Sequence, residues 1–258
     1  MILKLNHKVS GQGEPIVLIH GLFGSLENLG MVARGLSHQY EVHSLDVRNH
    51  GRSPHSDIHT YEAITEDIIG YLDQCGISRC HFLGHSMGGK AVMHLALNAP
   101  ERVNKLIVAD IAPVQYEPHH NDIFEGLLSL PLTEIQSRSE ADLLLAKTIK
   151  EATVRQFLLK NLVKNGHSGF SWKMNLSSLC KNYHHIMAGQ MSNTPFEGEV
   201  LLIAGGESNY VQNKHRAHVR SLFPNIAMKI IPDTGHWLHA EKTELFVKLC
   251  ERFLSEAA

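Results

Sequence analysis

The chain has 258 residues, in which 24 lysines and arginines stand against 26 aspartates and glutamates, so its formal net charge is −2. This near balance excludes a dedicated nucleic-acid binder, because such a protein needs a basic face. Hydrophobic residues make up 43% of the chain and charged residues 19%, which excludes the composition of a disordered chain and predicts a compact fold.

The opening residues lack the basic segment and uninterrupted apolar run of a signal peptide, and no window holds the 18 consecutive apolar residues that a membrane span needs. We therefore expect a cytoplasmic protein with no membrane span. The four cysteines are scattered without a C-x-x-C pair, which predicts reduced structural thiols and no metal site.

Predicted strands and helices alternate over most of the chain. Residues 2–8 alternate in polarity like an antiparallel edge hairpin. Six later apolar runs are too hydrophobic to be half exposed and predict strands buried on both faces, at 16–19, 42–45, 80–83, 106–109, 200–203 and 228–231. Helical periodicity lies between them at 26–36, 61–75, 87–97, 214–222 and 240–254. This alternation predicts an α/β fold with a mostly parallel eight-stranded sheet flanked by helices.

The alternation stops between Pro113 and Pro195. Apolar residues recur there at spacings of three and four, for example at Leu158, Leu159 and Leu162. We predict a helical cap at 113–195, inserted into an α/β core formed by 1–112 and 196–258. The alternative is a set of additional packing helices that has no role in access to a site.

The segment Gly84-His85-Ser86-Met87-Gly88 is the most informative motif in the chain. It is a G-x-S-x-G sequence directly after a predicted strand and directly before a predicted helix. The glycines leave room for a sharp turn that presents the Ser86 hydroxyl. The pattern predicts Ser86 as a nucleophile and the backbone N–H of Met87 as one donor to an oxyanion. The second donor is predicted to be the N–H of Leu22, in the loop His20-Gly21-Leu22 that follows another strand.

A serine needs a base to remove its proton during attack. His236 follows the last predicted strand, so it emerges at the same end of a parallel sheet as Ser86. His85 and His239 are weaker candidates, because the first flanks the nucleophile and the second falls where the final helix begins. We predict His236 as the general base.

These motifs, in order along nearly the entire chain, resemble those of the α/β-hydrolase superfamily. The longer strings HGLFGS, DVRNHGRSP, GHSMGGKAVM and DIAPV look like the YbfF-type bacterial esterases, relatives of mitochondrial abhydrolase-domain proteins. The resemblance implies a helical cap, hydrolysis of small-molecule acyl esters and acyl-CoA thioesters, and no metal or organic cofactor.

The acid that would orient the histidine departs from the common family pattern. Most members carry an aspartate where this chain has Ser208, so Glu207, Asp233 and Asp110 are the candidates. Asp110 ends the strand beside the nucleophile strand, and the YbfF-like group resembled here uses an acid at that place. We predict a triad completed by Asp110, with Ser208 as an auxiliary member that hydrogen-bonds to the histidine or the aspartate.

The sequence therefore predicts an esterase that works through a Ser-His-Asp acyl-enzyme. Carbon–carbon bond hydrolysis, perhydrolysis or a lyase step at the same site stays open, because one fold hosts many reactions. A non-catalytic ligand-binding protein is a further alternative. Asp46 and the loop from Arg48 to Ser53 are interpreted as mainly structural. The acyl chain, the leaving group and the oligomeric state are not specified by the sequence.

Overall fold

The computed structural model describes residues 1–165 and 169–256, so residues 166–168 of the predicted cap and 257–258 of the predicted core lie outside the described residues. The strands are β1 (His7–Ser10), β2 (Glu14–Ile19), β3 (Tyr40–Leu45), β4 (Cys80–His85), β5 (Val103–Ala109), β6 (Leu162–Lys164), β7 (Phe170–Trp172), β8 (Glu199–Gly205) and β9 (Ile226–Ile231).

The α-helices are α1 (Gly30–Leu36), α2 (Tyr61–Cys75), α3 (Met87–Asn98), α4 (Asn121–Ser129), α5 (Arg138–Leu145), α6 (Ala152–Leu159), α7 (Leu176–Lys181), α8 (Tyr183–Met187), α9 (Arg216–Leu222), α10 (Leu238–Glu241) and α11 (Thr243–Ser255). Short 3₁₀ turns lie at Leu26–Leu29, Pro100–Arg102 and Asn213–His215. The predicted helix at 240–254 is interrupted at Lys242, whose φ of −132° and ψ of 59° are not helical.

The main sheet has the strand order β1-β3-β2-β4-β5-β8-β9. All neighbouring strands are parallel except β1, which pairs antiparallel with β3. The predicted α/β class and mostly parallel sheet are confirmed. Because all these parallel strands run in one direction, their carboxyl ends, and the loops that follow them, meet at one edge of the sheet.

The predicted number of eight strands is wrong: the sheet has seven within the part of the chain that the structure describes. The difference lies at the amino terminus, where only His7 and Lys8 of the hairpin expected at 2–8 belong to a strand, β1. The backbone N–H of Leu3 donates to Asp67 Oδ1 at 2.6 Å, and that of Asn6 donates to Ser53 Oγ at 2.8 Å. Side chains therefore satisfy amides that a further strand would have used.

Helices cover both faces of the sheet. Val17 belongs to the apolar cluster that α2 and α3 share with the sheet, whereas Ile16 and Leu18 belong to the cluster with α1 and α11. Since successive side chains of a strand point to opposite faces, a continuous apolar run such as β2 fills both layers.

Residues 113–195, called the insert below, lie between β5 and β8. They contain the helices α4 to α8 and a small antiparallel ribbon of β6 and β7. The ribbon was not predicted, because strands of three residues are too short to show a period of two. Phe124 and Leu127 of α4 join the same apolar cluster as Phe23 of the core. Within the described residues, no helix combines the length and apolar character needed to cross a membrane.

Candidate active site

The turn between β4 and α3 presents Ser86 at the carboxyl edge of the sheet. Ser86 has φ 54° and ψ −120°, a strained conformation between a strand and a helix. A Cβ placed on Gly84 would lie 2.3 Å from the carbonyl oxygen of Gly88, and one placed on Gly88 would lie 2.3 Å from that of Ile19. Only glycines allow this close approach, so the motif holds the serine in place through backbone packing.

The structure brings Ser86, His236, Asp110 and Ser208 together in one hydrogen-bonded chain. His236 Nε2 lies 2.9 Å from Ser86 Oγ, and His236 Nδ1 lies 2.7 Å from Asp110 Oδ2. Since a carboxylate only accepts, Nδ1 carries the ring proton and Nε2 is left to accept from the serine. The three side chains come from loops after β4, β9 and β5, separated by up to 150 positions in the sequence.

Asp110 is fully buried, and all of its partners are donors. The backbone N–H of Gly205 donates to Oδ1 at 3.0 Å, while the Ser208 hydroxyl donates to Oδ2 at 2.5 Å. Ser208 therefore contacts the aspartate at the oxygen that also faces His236. Three donors therefore hold both oxygens of this buried carboxyl in place.

The competing acids lie elsewhere. Asp233 is exposed, and its Oδ2 lies 3.3 Å from Lys242 Nζ on the far side of its own loop. Glu207 is also exposed, and its backbone N–H binds the carbonyl oxygen of Thr234.

The competing histidines form the support behind His236. His85 Nε2 donates to the carbonyl oxygen of His236 at 2.8 Å, and the ring of His239 packs on His85 with centroids 4.3 Å apart. Burial lowers the pKa of His239 to about 4 and that of His85 well below its ordinary value. Both rings are therefore neutral near pH 7 and hold the loop of His236 in position.

Tyr210 is a site residue that the sequence analysis missed. Its ring stacks on the imidazole of His236 with centroids 4.0 Å apart and planes 23° apart. Its backbone is held on both sides, by the Ser208 hydroxyl at the N–H and by the Tyr116 hydroxyl at the carbonyl oxygen. No local pattern marks it, because a single aromatic residue in a loop is indistinguishable from a packing residue.

Leu22 and Met87 lie beside Ser86 in the wall of one pocket. Among the described residues, the backbone N–H groups of Leu22 and Met87 have no protein acceptor. The Met87 amide also begins a helix, where the first N–H groups lack intrahelical partners and the helix dipole favours negative charge. Two unpaired amides beside a serine hydroxyl are what a developing oxyanion requires.

Backbone strain is concentrated at this edge of the sheet. Five residues other than glycine have positive φ within the described part of the chain, and each follows a different parallel strand: Phe23, Asn49, Ser86, Asp110 and Asp233. Such conformations cost on the order of 1–3 kcal/mol each and persist only where the surroundings hold them. All five lie at the edge of the sheet that carries Ser86.

The insert supplies much of the pocket wall. Tyr116, His119, His120, Ile186 and Met187 come from the insert, while the remaining lining residues come from the core. His120 Nδ1 forms a 2.7 Å hydrogen bond with the hydroxyl of Tyr183, and burial lowers the pKa of His120 to about 3. On the insert side the pocket is therefore lined by the apolar side chains of Ile186 and Met187, by aromatic rings and by a neutral His120.

Lys90 is a buried lysine in the same pocket wall, one helical turn after Ser86. Its Nζ donates to the carbonyl oxygens of Met187 and Ala188 at 3.1 and 2.7 Å. Burial lowers the pKa of Lys90 to about 7. The lysine ties the end of α8 to the helix that follows the nucleophile. Within residues 1–165 and 169–256, no cluster of three or more histidine, cysteine or acidic side chains could hold a metal ion.

The class of protein is defined by a mostly parallel sheet, a serine on a strand-to-helix turn and an insert after β5, the strand that Asp110 follows. The chain belongs to the α/β-hydrolase family, whose sequence model, described as alpha/beta hydrolase fold, matches residues 14–152.

Its relatives narrow the class. The chain is 38% identical over 243 residues to esterase YbfF of Escherichia coli (strain K12), with 94% of this chain and 93% of the relative covered. It is 40% identical over 248 residues to the sn-1-specific diacylglycerol lipase ABHD11 of Mus musculus, with 93% and 80% covered. A solved structure of an esterase from a marine microorganism superposes with a TM-score of 0.95 at 35% identity and covers 97% of this chain and 99% of that one. The resemblance to YbfF-type esterases is confirmed, and the chain is a hydrolase of the esterase and lipase group.

Proposed function

We propose that the protein hydrolyses carboxylic acyl esters, including acyl-CoA thioesters, through an acyl-enzyme on Ser86. One observation carries the proposal: an unbroken hydrogen-bonded chain runs from the Ser86 hydroxyl through His236 to the buried carboxylate of Asp110. This arrangement gives the serine a base and gives the base a fixed tautomer.

In the first half-reaction, Ser86 Oγ attacks the carbonyl carbon while its proton passes to His236 Nε2. The carbonyl π electrons move to the oxygen, which the amides of Leu22 and Met87 bind as an oxyanion. When the tetrahedral intermediate collapses, the bond to the leaving group breaks. The alcohol or thiol departs with the proton that Nε2 gives up.

In the second half-reaction, water replaces the departed alcohol or thiol. His236 takes one proton from it, the water oxygen attacks the acyl carbon, and the bond to Ser86 Oγ breaks as Nε2 returns the proton. The carboxylic acid is released. Asp110 keeps its charge throughout and stabilises the imidazolium that forms twice in each turnover. Ser208 acts on the aspartate, since its hydroxyl donates to the same oxygen that receives the His236 proton donor.

We propose that the insert is a cap domain over a core of residues 1–112 and 196–258. Its side chains form one wall of the pocket beside Ser86. Its apolar residues share a cluster with the sheet, while polar bonds between side chains and backbone carbonyl oxygens join it to the core. An apolar wall opposite a nucleophile suits an acyl chain, because such a chain gains about 0.8 kcal/mol for each buried CH₂. Because the mouse relative is a diacylglycerol lipase, glycerol esters are also substrates to test.

A fluorophosphonate probe tests the nucleophile directly. We expect covalent labelling at Ser86 that disappears in Ser86→Ala, whereas Ser208→Ala, a serine in the same network, keeps its label. Absence of labelling in the folded wild-type protein would reject the esterase mechanism and favour a ligand-binding protein. Initial rates on short and long acyl esters, diacylglycerols and matching acyl-CoA thioesters then assign the substrate class.

A further inference from the structure

The loop after β3 contains a buried histidine that the mechanism does not use. His50 is fully buried, and its Nε2 accepts the backbone N–H of Phe23 at 3.2 Å. Phe23 directly follows Leu22, whose amide is the proposed oxyanion donor. A side chain from one loop therefore holds the backbone of the loop that binds the oxyanion.

The hydrogen bonds of His50 define its protonation. Its Nδ1 lies 3.0 Å from the carbonyl oxygen of Arg48, and a carbonyl only accepts, so Nδ1 carries the proton. A backbone N–H only donates, so Nε2 is unprotonated. Burial, followed by the neighbouring rings of His20 and His59, keeps the pKa of His50 well below its ordinary value. The ring is a neutral acceptor aimed at one amide.

His20 makes the reciprocal connection. Its Nε2 accepts the backbone N–H of Val47 at 3.2 Å, and its Nδ1 donates to the carbonyl oxygen of Gly21 at 2.8 Å. The loop after β2 thus holds the loop after β3 through His20, and the reverse holds through His50. The two rings lie with centroids 5.2 Å apart. Two buried neutral histidines join the loops into one unit.

The conformation of Phe23 explains why the oxyanion loop needs this support. The N–H of Gly24 bonds to the carbonyl oxygen of Gly21 at 3.0 Å, so Leu22 and Phe23 are the central residues of a four-residue turn. Phe23 has φ 59°, a value that the third position of a type II turn normally reserves for glycine. With a phenylalanine there, the type I turn competes. It differs by rotation of the peptide between Leu22 and Phe23, which carries the N–H that His50 accepts.

The opposite side of Phe23 is held by the insert. Asn161 Nδ2 donates to the carbonyl oxygen of Phe23 at 2.7 Å, and the Phe23 ring packs edge-on against Phe124 with centroids 5.1 Å apart. On the core side, the Phe23 amide donates to the ring nitrogen of His50. Rotation of the peptide between Leu22 and Phe23 would point the carbonyl oxygen of Leu22 at the unprotonated ring nitrogen of His50, which is repulsive.

We propose that His50 is a positioning residue, which holds Phe23 in its left-handed conformation and so fixes the turn that carries the Leu22 amide, the proposed oxyanion donor, beside Ser86. The role rests on the proposed acyl-transfer function. Misplacing the Leu22 donor weakens binding of the transition state more than binding of the substrate, because the charge on the carbonyl oxygen develops only during attack.

The test compares His50→Leu, which removes the acceptor, with His50→Gln, whose side-chain oxygen can accept the Phe23 amide. His43→Leu is the matched control, since His43 is buried but bonds to Tyr71 and Glu41 away from the loop. We expect His50→Leu to lower kcat about 10- to 100-fold, with KM changed less than about threefold, since complete loss of one donor costs about 100- to 1000-fold. His50→Gln restores most of kcat, and His43→Leu leaves kcat and KM near the wild-type values.

The affinity for an alkyl trifluoromethyl ketone distinguishes a role in oxyanion binding from a merely structural role. Its adduct with Ser86 carries an oxyanion, so its affinity should fall in parallel with kcat/KM in His50→Leu and recover in His50→Gln. If His50→Leu does not fold, His50→Asn replaces it, because the shorter amide does not reach Phe23 while the polarity is kept.

The outcomes separate this role from the proposed function. A folded His50→Leu or His50→Asn protein that keeps kcat and the affinity for the ketone within about twofold overturns the positioning role. Equal losses in His43→Leu also overturn it. Fluorophosphonate labelling of the wild-type Ser86 in the same preparation shows whether the proposed nucleophile is active, so a failure of the mechanism itself is recognised separately.

Discussion

The sheet and the insert contribute to the site in different ways. The sheet supplies the hydrogen-bonded groups Ser86, His236 and Asp110, each placed by the end of a strand. The insert supplies pocket wall and contacts that core through polar bonds to backbone groups, such as Asn161 to Phe23. Reactivity therefore depends on the sheet and pocket shape on the insert, and the two regions meet at a few buried polar contacts.

Those contacts lie where the core is most strained. Asn175 N–H donates to the carbonyl oxygen of Asn49, and Asn161 Nδ2 to that of Phe23; both acceptors have positive φ. Tyr61 of α2 donates to the carbonyl oxygen of Ile186 at 2.6 Å. The insert therefore both shapes the pocket and stabilises the loops beside the nucleophile, and changes at this junction should affect both regions.

The largest effect is expected in the core alone. Asp110→Asn keeps the shape of the side chain but no longer fixes the His236 tautomer, so kcat should fall about 1,000- to 10,000-fold. Ester hydrolysis and circular dichroism measured together check this. Asp233→Asn is the control, because that exposed carboxylate faces Lys242. Comparable activity in the two variants would remove Asp110 from the triad.

A change at the junction comes next. Asn161→Ala leaves the buried carbonyl oxygen of Phe23 without this donor, so the free energy of unfolding should fall by about 1–3 kcal/mol. A reduction in kcat should accompany it, because Phe23 directly follows Leu22, the proposed oxyanion donor. Urea unfolding and initial rates measure the two. Asn98→Ala is the control: its side chain donates to the carbonyl oxygen of His94 in an exposed bond, and the change should alter stability by less than about 0.5 kcal/mol. A stable, fully active Asn161→Ala would make the insert a passive wall.

The lowered pKa of Lys90 predicts an unusual pH dependence of the free energy of unfolding. Burial lowers the pKa of Lys90 to about 7 from 10.5, so the unfolded chain binds more protons between these values. Stability should therefore rise as pH increases from 7 toward 10.5, by at most about 1.4 kcal/mol per pH unit. Urea unfolding between pH 7.5 and 9.5 measures the slope. Lys90→Met should flatten it, whereas Lys105→Met should not, because Lys105 pairs with Glu199 at 2.8 Å. A wild-type slope that survives in Lys90→Met contradicts the assignment.

The smallest effect concerns the support of the acid. Ser208→Ala removes one of the donors to Asp110 but leaves the Gly205 amide and His236 in place. We expect kcat to fall about 3- to 10-fold, with KM nearly unchanged, because a hydrogen bond to a charged group contributes about 1.5–3 kcal/mol and only part of it differs in the transition state. Ser192→Ala, in an exposed loop of the insert, is the control. Unchanged kcat in Ser208→Ala would make the contact incidental to turnover.

Some parts of the core and of the insert could be predicted from sequence patterns, and others could not. The strands of the core were predictable, because apolar runs such as Val200 to Ile203 are buried on both faces. The burial predicted for the run at 228–231 is wrong, since this run lies in the edge strand β9 and most of its residues are exposed. The ribbon of β6 and β7 and the loss of the expected eighth strand were not, since both depend on which distant groups satisfy a few amides. His236 and Asp110 were proposed from strand ends and family resemblance, whereas Tyr210 carries no local signal at all.

The amino-acid sequence by itself determined the features that depend on neighbouring residues: buried strands, the sharp turn that only Gly84 and Gly88 permit, and the membership of a hydrolase family. Tertiary structure decided which aspartate faces His236, that Tyr210 stacks on its ring, and that His50 holds the amide of Phe23. The reason is physical. Backbone sterics act over a few residues, whereas a hydrogen-bonded pair such as Ser86 and His236 joins positions 150 residues apart and exists only once the sheet has formed.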